Sequence, residues 1–343
     1  MAPAIPSCDD RPIWDLWLSS LWHPTVTVAS ELDVFEVLAG GALTAPAVAE
    51  RLGLAPRGSE TLLRMLVALD LLALHSGQYQ LTALAREFLL RASPYYWGHV
   101  WQTLDRASPI HTRIREALLR KTASGATGPG QPPPVVAWET GQIDMEMAGR
   151  IARFMHSHSV AAAAGLARNG NFDGVSRLLD VGGGSGCFSI ALAGRHPRMR
   201  CTIMELPAMC RLATEYIAAA NIGERVDTVG VDMFHEAWPK GYDALFFSNV
   251  FHDWTFETCA ELAAHARDAL PAGGRIVLHE MLLDDAGTGP RTAAAFSMLM
   301  LAGTRGQQFT FAELQALLEA AGFADVDVQP SYGYYSLVSG RKP

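Results

Sequence analysis

His252 stands in the run Phe251-His252-Asp253-Trp254, directly after the apolar stretch Ala244-Leu245-Phe246-Phe247-Ser248-Asn249-Val250. An imidazole of ordinary pKa, about 6.5, takes a proton near neutral pH, whereas a phenol at about 10 stays protonated and is a poor nucleophile. A histidine so placed suits the removal of a proton from an oxygen; the competing reading is a buried histidine with both nitrogens satisfied. A second cluster, Gly182-Gly183-Gly184-Ser185-Gly186, follows the short apolar run Arg177-Leu178-Leu179-Asp180-Val181 and precedes a helical pattern. Glycines there let the backbone approach a ligand that a Cβ would repel, and a helix start offers unpaired N–H groups to a carboxylate or phosphate. The spacing is neither Gly-x-Gly-x-x-Gly nor a P-loop, which ends in Gly-Lys-Ser/Thr, so alone it also reads as a plain tight turn.

The elements that must position these groups are strands, and each motif sits where one stops. Residues 200 to 204, Arg-Cys-Thr-Ile-Met, read as a strand with Glu205 at its carboxyl end, before Leu206-Pro207. In doubly wound sheets an acidic side chain there, roughly 20 residues beyond the glycines, accepts the ribose hydroxyls of a nucleotide. Val226 to Val231 leads to Asp232-Met233-Phe234, a carboxylate for an adenine amino group and two apolar side chains to sandwich the base. Asp243 to Val250 ends at the His252 run, and Arg275 to His279 ends at Glu280. Ligands of open α/β sheets bind in the crevice outside the carboxyl ends of the strands, so these motifs describe one site.

In order along the chain, Leu-Asp-Val-Gly-Gly-Gly-Ser-Gly, Glu-Leu-Pro, Asp-Met-Phe, Asn-Val-Phe-His-Asp-Trp and Pro-Ala-Gly-Gly-Arg-Ile-Val-Leu-His-Glu resemble the S-adenosylmethionine-dependent small-molecule O-methyltransferases. That group includes plant phenylpropanoid enzymes and bacterial enzymes that decorate natural products. The resemblance covers residues 177 to 323 and is weaker over the N-terminal half. It implies S-adenosylmethionine as cofactor and S-adenosylhomocysteine as its product, held by Asp180, Gly182, Gly184, Glu205, Leu206, Asp232, Met233, Phe234, Ser248 and Trp254. It further implies His252 as catalytic base and Glu280 as the carboxylate beside it, with a small-molecule acceptor, aromatic or polyketide-like, in a pocket lined by Phe154, Met155, His158, Phe296 and Met300. Trp101, from the aromatic run that includes Tyr95, Tyr96 and Trp97, is placed on the acceptor side. Asn249 either hydrogen-bonds an acceptor oxygen or serves the strand end.

Two positions depart from the plant members. Their Gly-Gly-x-Glu-Arg-Thr stretch, whose glutamate closes on the other side of the histidine, is here Gly306-Gln307-Gln308-Phe309-Thr310. Gln308 is neutral, so it can position an imidazole but does little for its charge. That leaves room for a more acidic oxygen, for methylation at carbon or nitrogen, or for a member without methyl transfer. The second departure is Ser248, where plant relatives carry lysine.

The fold class implied is α/β: a seven-stranded Rossmann-like methyltransferase sheet over residues 166–343, with helices on both faces and a closing hairpin from 324–330 and 332–340 at its edge. Residues 106–165 should be a helical connector with a mobile loop at 121–134. Residues 1–105 should be a helical winged-helix domain, with helices over 12–29, 32–38, 44–52 and 57–69 and a wing across Ser76-Gly77. A winged helix can read DNA, but the net charge of −8 and the scarcity of Lys and Arg in its second helix leave no phosphate footprint. In the family this fold is a dimerisation domain, so the expected partner is a second copy, with no nucleic acid and no membrane. The five scattered cysteines lack Cys-x-x-Cys spacing and read as reduced packing residues, and no metal cluster is expected. With no apolar run of about 18 residues and no secretory pattern in residues 1–11, the expected location is the cytoplasm.

Overall fold

A computed structural model describes residues 5–97, 109–119 and 134–343. Trp101 and most of the 121–134 loop lie outside them. The chain divides into two compact units, one of Pro12–Val135 with Leu283–Thr310, the other of Met1–Arg11, Val136–Leu282 and Phe311–Pro343.

In the first unit the helix Arg11–Leu18 buries Trp14 and Leu18 and turns Ile13 and Leu16 to solvent, as its 3.6-residue period requires. The single helix expected over 12–29 is broken by a 3₁₀ turn at Ser19–Leu21 before a second helix, Trp22–Glu31. The Ser19 and Ser20 hydroxyls donate back to the carbonyls of Leu16 and Trp17, each at 2.7 Å, and Pro24 has no N–H to continue the ladder. Thr44 caps Ala45–Leu52, Gly53 ends it in the left-handed region, and Pro56 opens the next helix, Pro56–Ala68. The wing is the hairpin of β1 (Leu72–His75) and β2 (Gln78–Leu81), joined by Ser76 and Gly77, both at positive φ as a two-residue hairpin turn demands. Although Leu283–Thr310 lies within residues 166–343, its helix Arg291–Gly303 packs against Pro56–Ala68.

In the second unit Asp144 caps a helix that runs from Met145 to Asn169, past the expected end of the connector at 165. Its C-terminal half is alanine-rich, so it lacks the polar–apolar contrast that marks a helix in sequence but keeps high helix propensity. The sheet follows: β3 (Arg177–Val181), β4 (Arg200–Glu205), β5 (Val226–Gly230), β6 (Ala244–Ser248), β7 (Arg275–Met281), β8 (Ala324–Pro330) and β9 (Tyr335–Arg341). Their spatial order is β5-β4-β3-β6-β7-β9-β8, parallel except for β9, which runs antiparallel to both neighbours. The central strands are buried on both faces, which is why they read as continuous apolar runs. The hairpin forms as expected, with β8 as the edge strand. The order reverses between β3 and β6, and that switch point opens the crevice at the carboxyl ends of the strands.

Candidate active site

The turn after β3 needs its glycines for two reasons. Gly182, Gly184 and Gly186 all take positive φ, and a Cβ on Gly182 would come 3.0 Å from Val250 while one on Gly186 would collide with Ile203. Gly186 is also the N-cap of the helix Cys187–Arg195, so the turn leads straight into a helix N-terminus. Asp180, one residue short of the strand end, is buried; its Oδ2 accepts from the Ser189 hydroxyl at 2.7 Å, and burial pushes its carboxyl up to about 6. His156, on the long helix, clamps the turn from above. Its Nδ1 is 2.9 Å from the Ser185 hydroxyl, and its ring stacks on Tyr216 at 4.3 Å.

Glu205 ends β4 as expected and is buried, with Oε2 accepting the Leu206 N–H at 2.7 Å. Burial pushes its carboxyl up to about 7, against hydrogen bonds from the Leu206 N–H, the Trp138 indole and the Gly184 N–H. Asp232, beyond β5, is held within its own loop: it accepts the Phe234 N–H at 2.9 Å and pairs with His235 Nδ1 at 2.9 Å. Burial opposes its charge, but those donors keep its carboxyl below the ordinary value. Met233, Leu206 and Trp254 are buried, and Phe234 meets Trp254 edge to face at 4.7 Å.

His252 sits on a 3₁₀ turn, Phe251–Asp253, beyond β6. Its Nδ1 lies 3.0 Å from Glu280 Oε2, and both side chains are almost fully buried. The other carboxylate oxygen, Oε1, accepts the backbone N–H groups of Val250 at 3.2 Å and Phe251 at 3.0 Å. One carboxylate therefore shapes the turn that carries the histidine and orients its ring. On the far side of the imidazole, Nε2 is 3.8 Å from Asp253 Oδ1, and burial pushes the Asp253 carboxyl up to about 6 despite the attraction of His252. His158, from the long helix, is driven down to about 4 by burial and then by the proximity of His252, so it stands neutral beside that histidine.

Ser248 lines the cavity at the glycine turn, yet its hydroxyl is 2.9 Å from Nδ1 of His279, a histidine that sequence reasoning passed over. His279 is fully buried, its Nε2 faces Ser331 Oγ at 3.1 Å, and its ring lies parallel to Tyr335 at 4.6 Å. Burial drives its pKa down to about 3, so it is a neutral structural link. Asn249 and Met155 line the same cavity as Ser248, whereas Phe154 is more exposed than buried and meets His158 edge-on at 5.3 Å.

The remaining expected site residues belong to the first unit. Gln308 is fully buried and its backbone N–H donates to Ser297 Oγ at 3.2 Å. Phe296 packs on Trp14 and Trp17, with centroids 5.7 and 6.2 Å away, and Met300 is buried on the same helix. Among the described residues there is no cluster of three potential metal ligands, and no helix is long and apolar enough to cross a membrane.

A mostly parallel seven-stranded sheet with one antiparallel strand, a glycine turn at its switch point and a buried histidine–glutamate pair at the ends of β6 and β7 have the form of a class I methyltransferase. The chain belongs to the O-methyltransferase family: residues 114–324 match its O-methyltransferase domain and residues 14–91 its O-methyltransferase dimerisation domain. It is an S-adenosylmethionine-dependent methyltransferase. A 3-hydroxy-5-methyl-1-naphthoate 3-O-methyltransferase from Streptomyces sahachiroi is 37% identical over 90% of this chain and 88% of its own length. An L-tyrosine C(3)-methyltransferase from Streptomyces lavendulae is 29% identical over 90% and 85%. Among solved structures, an O-methyltransferase family 2 protein from Planctomyces limnophilus in complex with apigenin is 27% identical, covers 100% of this chain and 98% of its own, and superposes with a TM-score of 0.87.

Proposed function

We propose that this enzyme methylates a hydroxyl group of a small aromatic acceptor, with His252 as general base and Glu280 as the group that orients it. The buried contact of 3.0 Å between His252 Nδ1 and Glu280 Oε2 carries the reading. With the proton on Nδ1, the nitrogen that faces that carboxylate, the neutral tautomer presents its lone pair at Nε2. The proton of the acceptor hydroxyl passes to Nε2, and Glu280 stabilises the imidazolium so formed. His158, held neutral, adds no opposing charge to that step. When bound, S-adenosylmethionine supplies a methyl group already activated on a sulfonium.

The residues present fit that cofactor. The glycine turn admits a close ligand, Glu205 offers a buried carboxylate to ribose hydroxyls, and Met233, Phe234 and Trp254 give an apolar seat for a flat base. Gly182, Gly184, Asp180, Leu206, Asp232 and Ser248 complete the set, with Asp232 and Ser248 acting through the loop and strand they brace. Gln308, Phe296, Met300, Met155, Phe154 and His158 are assigned to the acceptor side. An aromatic acceptor is supported by the naphthoate named for one relative and the apigenin in one solved structure. The dimerisation domain and the exposed Ile13 and Leu16 support a homodimer built on the N-terminal helices. The C(3)-methyltransferase among the relatives supports transfer to a ring carbon as the second reading.

Calorimetric titration with S-adenosylmethionine and S-adenosylhomocysteine, followed by mass spectrometry of catechols, hydroxynaphthoates, hydroxyquinones and hydroxyindoles incubated with the enzyme, tests both. Binding with the gain of one methylene on oxygen supports the first reading, and a gain that survives demethylation of aryl ethers supports the second. Binding without transfer to any acceptor counts against both.

A further inference from the structure

Glu205, the carboxylate offered to ribose, already has donors from its own chain. It is 4% exposed, and three N–H groups reach it: the backbone N–H of Leu206, 2.7 Å from Oε2, the backbone N–H of Gly184 and the Trp138 indole. A carboxylate has about four acceptor positions, and the two hydroxyls of a ribose ask for two of them. One of the three donors must therefore give way. The Leu206 N–H is fixed between β4 and the helix Pro207–Ala219, and the Gly184 N–H sits in the glycine turn, so the donor able to leave is the side chain.

Trp138 stands where such a departure costs little. Its helix, Pro134–Thr140, is short, the residue itself is only half-buried, and among the described residues no helix or strand packs extensively on that helix. Gly141 follows at φ 65, and beyond it Ile143 packs on the apolar cluster of Ala148, Ala152 and Met209. The chain is thus anchored at Ile143, with a left-handed glycine between that anchor and the indole. Gly141 also lies against the second carboxylate assigned to the methyl donor, since a Cβ there would come 3.0 Å from Asp232 Oδ2. A single stretch, residues 138–141, therefore covers both carboxylates.

We propose that Trp138 is a placeholder for the ribose of the methyl donor: its indole N–H satisfies Glu205 in the free enzyme and is exchanged for the ribose hydroxyls on binding. This deepens the reading of Glu205 as the ribose acceptor and rests on it. A buried carboxylate short of donors bears a desolvation cost, and the indole relieves that cost until the ribose arrives. The free energy of the contact that is given up is subtracted from the affinity. Trp138 is a positioning residue that weakens the hold on the methyl donor and on its product alike, because both carry the same ribose.

The test is a calorimetric double-mutant cycle on the full chain with S-adenosylhomocysteine as ligand and the variants Trp138→Phe, Glu205→Gln and the two combined. Phenylalanine keeps an aromatic ring at a half-buried position and removes only the N–H donor and part of the ring. Trp138→Phe is expected to bind S-adenosylhomocysteine about three- to tenfold more tightly than the wild type. In the Glu205→Gln background the same change should bring less than about a twofold gain, because the charge that held the indole is gone. Weaker binding by Trp138→Phe would make the indole a ligand contact, and unchanged binding would make its bond to Glu205 inconsequential; each overturns the proposal. A gain that persists in full beside Glu205→Gln overturns it too, since the ring would then act through some other group. Failure of the wild type to bind S-adenosylhomocysteine would overturn the reading of Glu205 itself and the proposal with it.

Discussion

Two buried histidines in this chain each face a glutamate at 3.0 Å, and the two pairs are built for different ends. His111, among the N-terminal helices, meets Glu31 at Nε2 and the Thr27 hydroxyl at Nδ1, 2.9 Å away, and Glu31 is also bound by Arg115 at 2.7 Å. Burial opposes the charge of Glu31, but Arg115 and His111 together hold it below its ordinary range. The carboxylate at Glu31 is thus largely neutralised by a guanidinium, and the imidazole is tied at both nitrogens. At Glu280 the other partners are two neutral backbone N–H groups, so the negative charge remains available to an imidazolium. A histidine–glutamate contact alone does not make a base; what else the carboxylate binds decides.

The largest effect should come from His252→Ala. Turnover is expected to fall by about 10²–10⁴ while calorimetric affinity for S-adenosylhomocysteine stays unchanged, and near-normal turnover would move the base elsewhere. Glu280→Gln keeps the shape and removes the charge. It should lower kcat by about 10²-fold or more with little change in KM, and preserved kcat would mean that the carboxylate only holds the turn. For contrast, His111→Ala should leave kcat per folded molecule intact and cost roughly 1–3 kcal/mol in urea unfolding, since it removes a buried ring with its contacts to Glu31 and Thr27 and opens a void. A loss of kcat there would erase the distinction between the two pairs.

Glu205→Ala should weaken donor binding, because each hydrogen bond between ribose and a carboxylate is worth roughly 1.5–3 kcal/mol. The smallest effect is in pH. The Glu205 carboxyl is raised by burial to about 7 from an ordinary 4.5, so the native state binds the proton more tightly than the unfolded chain. On this account stability is highest below pH about 4.5 and declines as pH rises toward 7, then levels. Glu205→Gln should flatten that part of the melting temperature against pH, whereas an unchanged difference across the window would assign the slope to other groups.

Much of the second unit was legible because its signals are local. The glycine turn, Glu205, Asp232, His252 and Glu280 each follow an apolar run that stops, and a strand end needs no knowledge of its neighbours to be recognised. What escaped depends on pairing across the sheet. Ser248 meets His279 because β6 and β7 run parallel with those two residues in register, and no spacing along the chain encodes that. The Ser185–His156 clamp likewise joins residues that only the packing of the long helix brings together. In the first unit the helix break at Ser19–Leu21 turns on hydroxyl-to-carbonyl bonds inside an otherwise unbroken apolar pattern. The association of Leu283–Thr310 with the N-terminal helices is a long-range choice that a linear reading assigns to its sequence neighbours.

Glu280 braces the turn with one oxygen and faces the imidazole with the other, so the location of the proposed base and its strength are vested in a single residue. Natural variation cannot adjust either property there without disturbing both. A lineage built on this chain would keep that position fixed as it changes acceptors, and would record its diversification in the walls around the crevice.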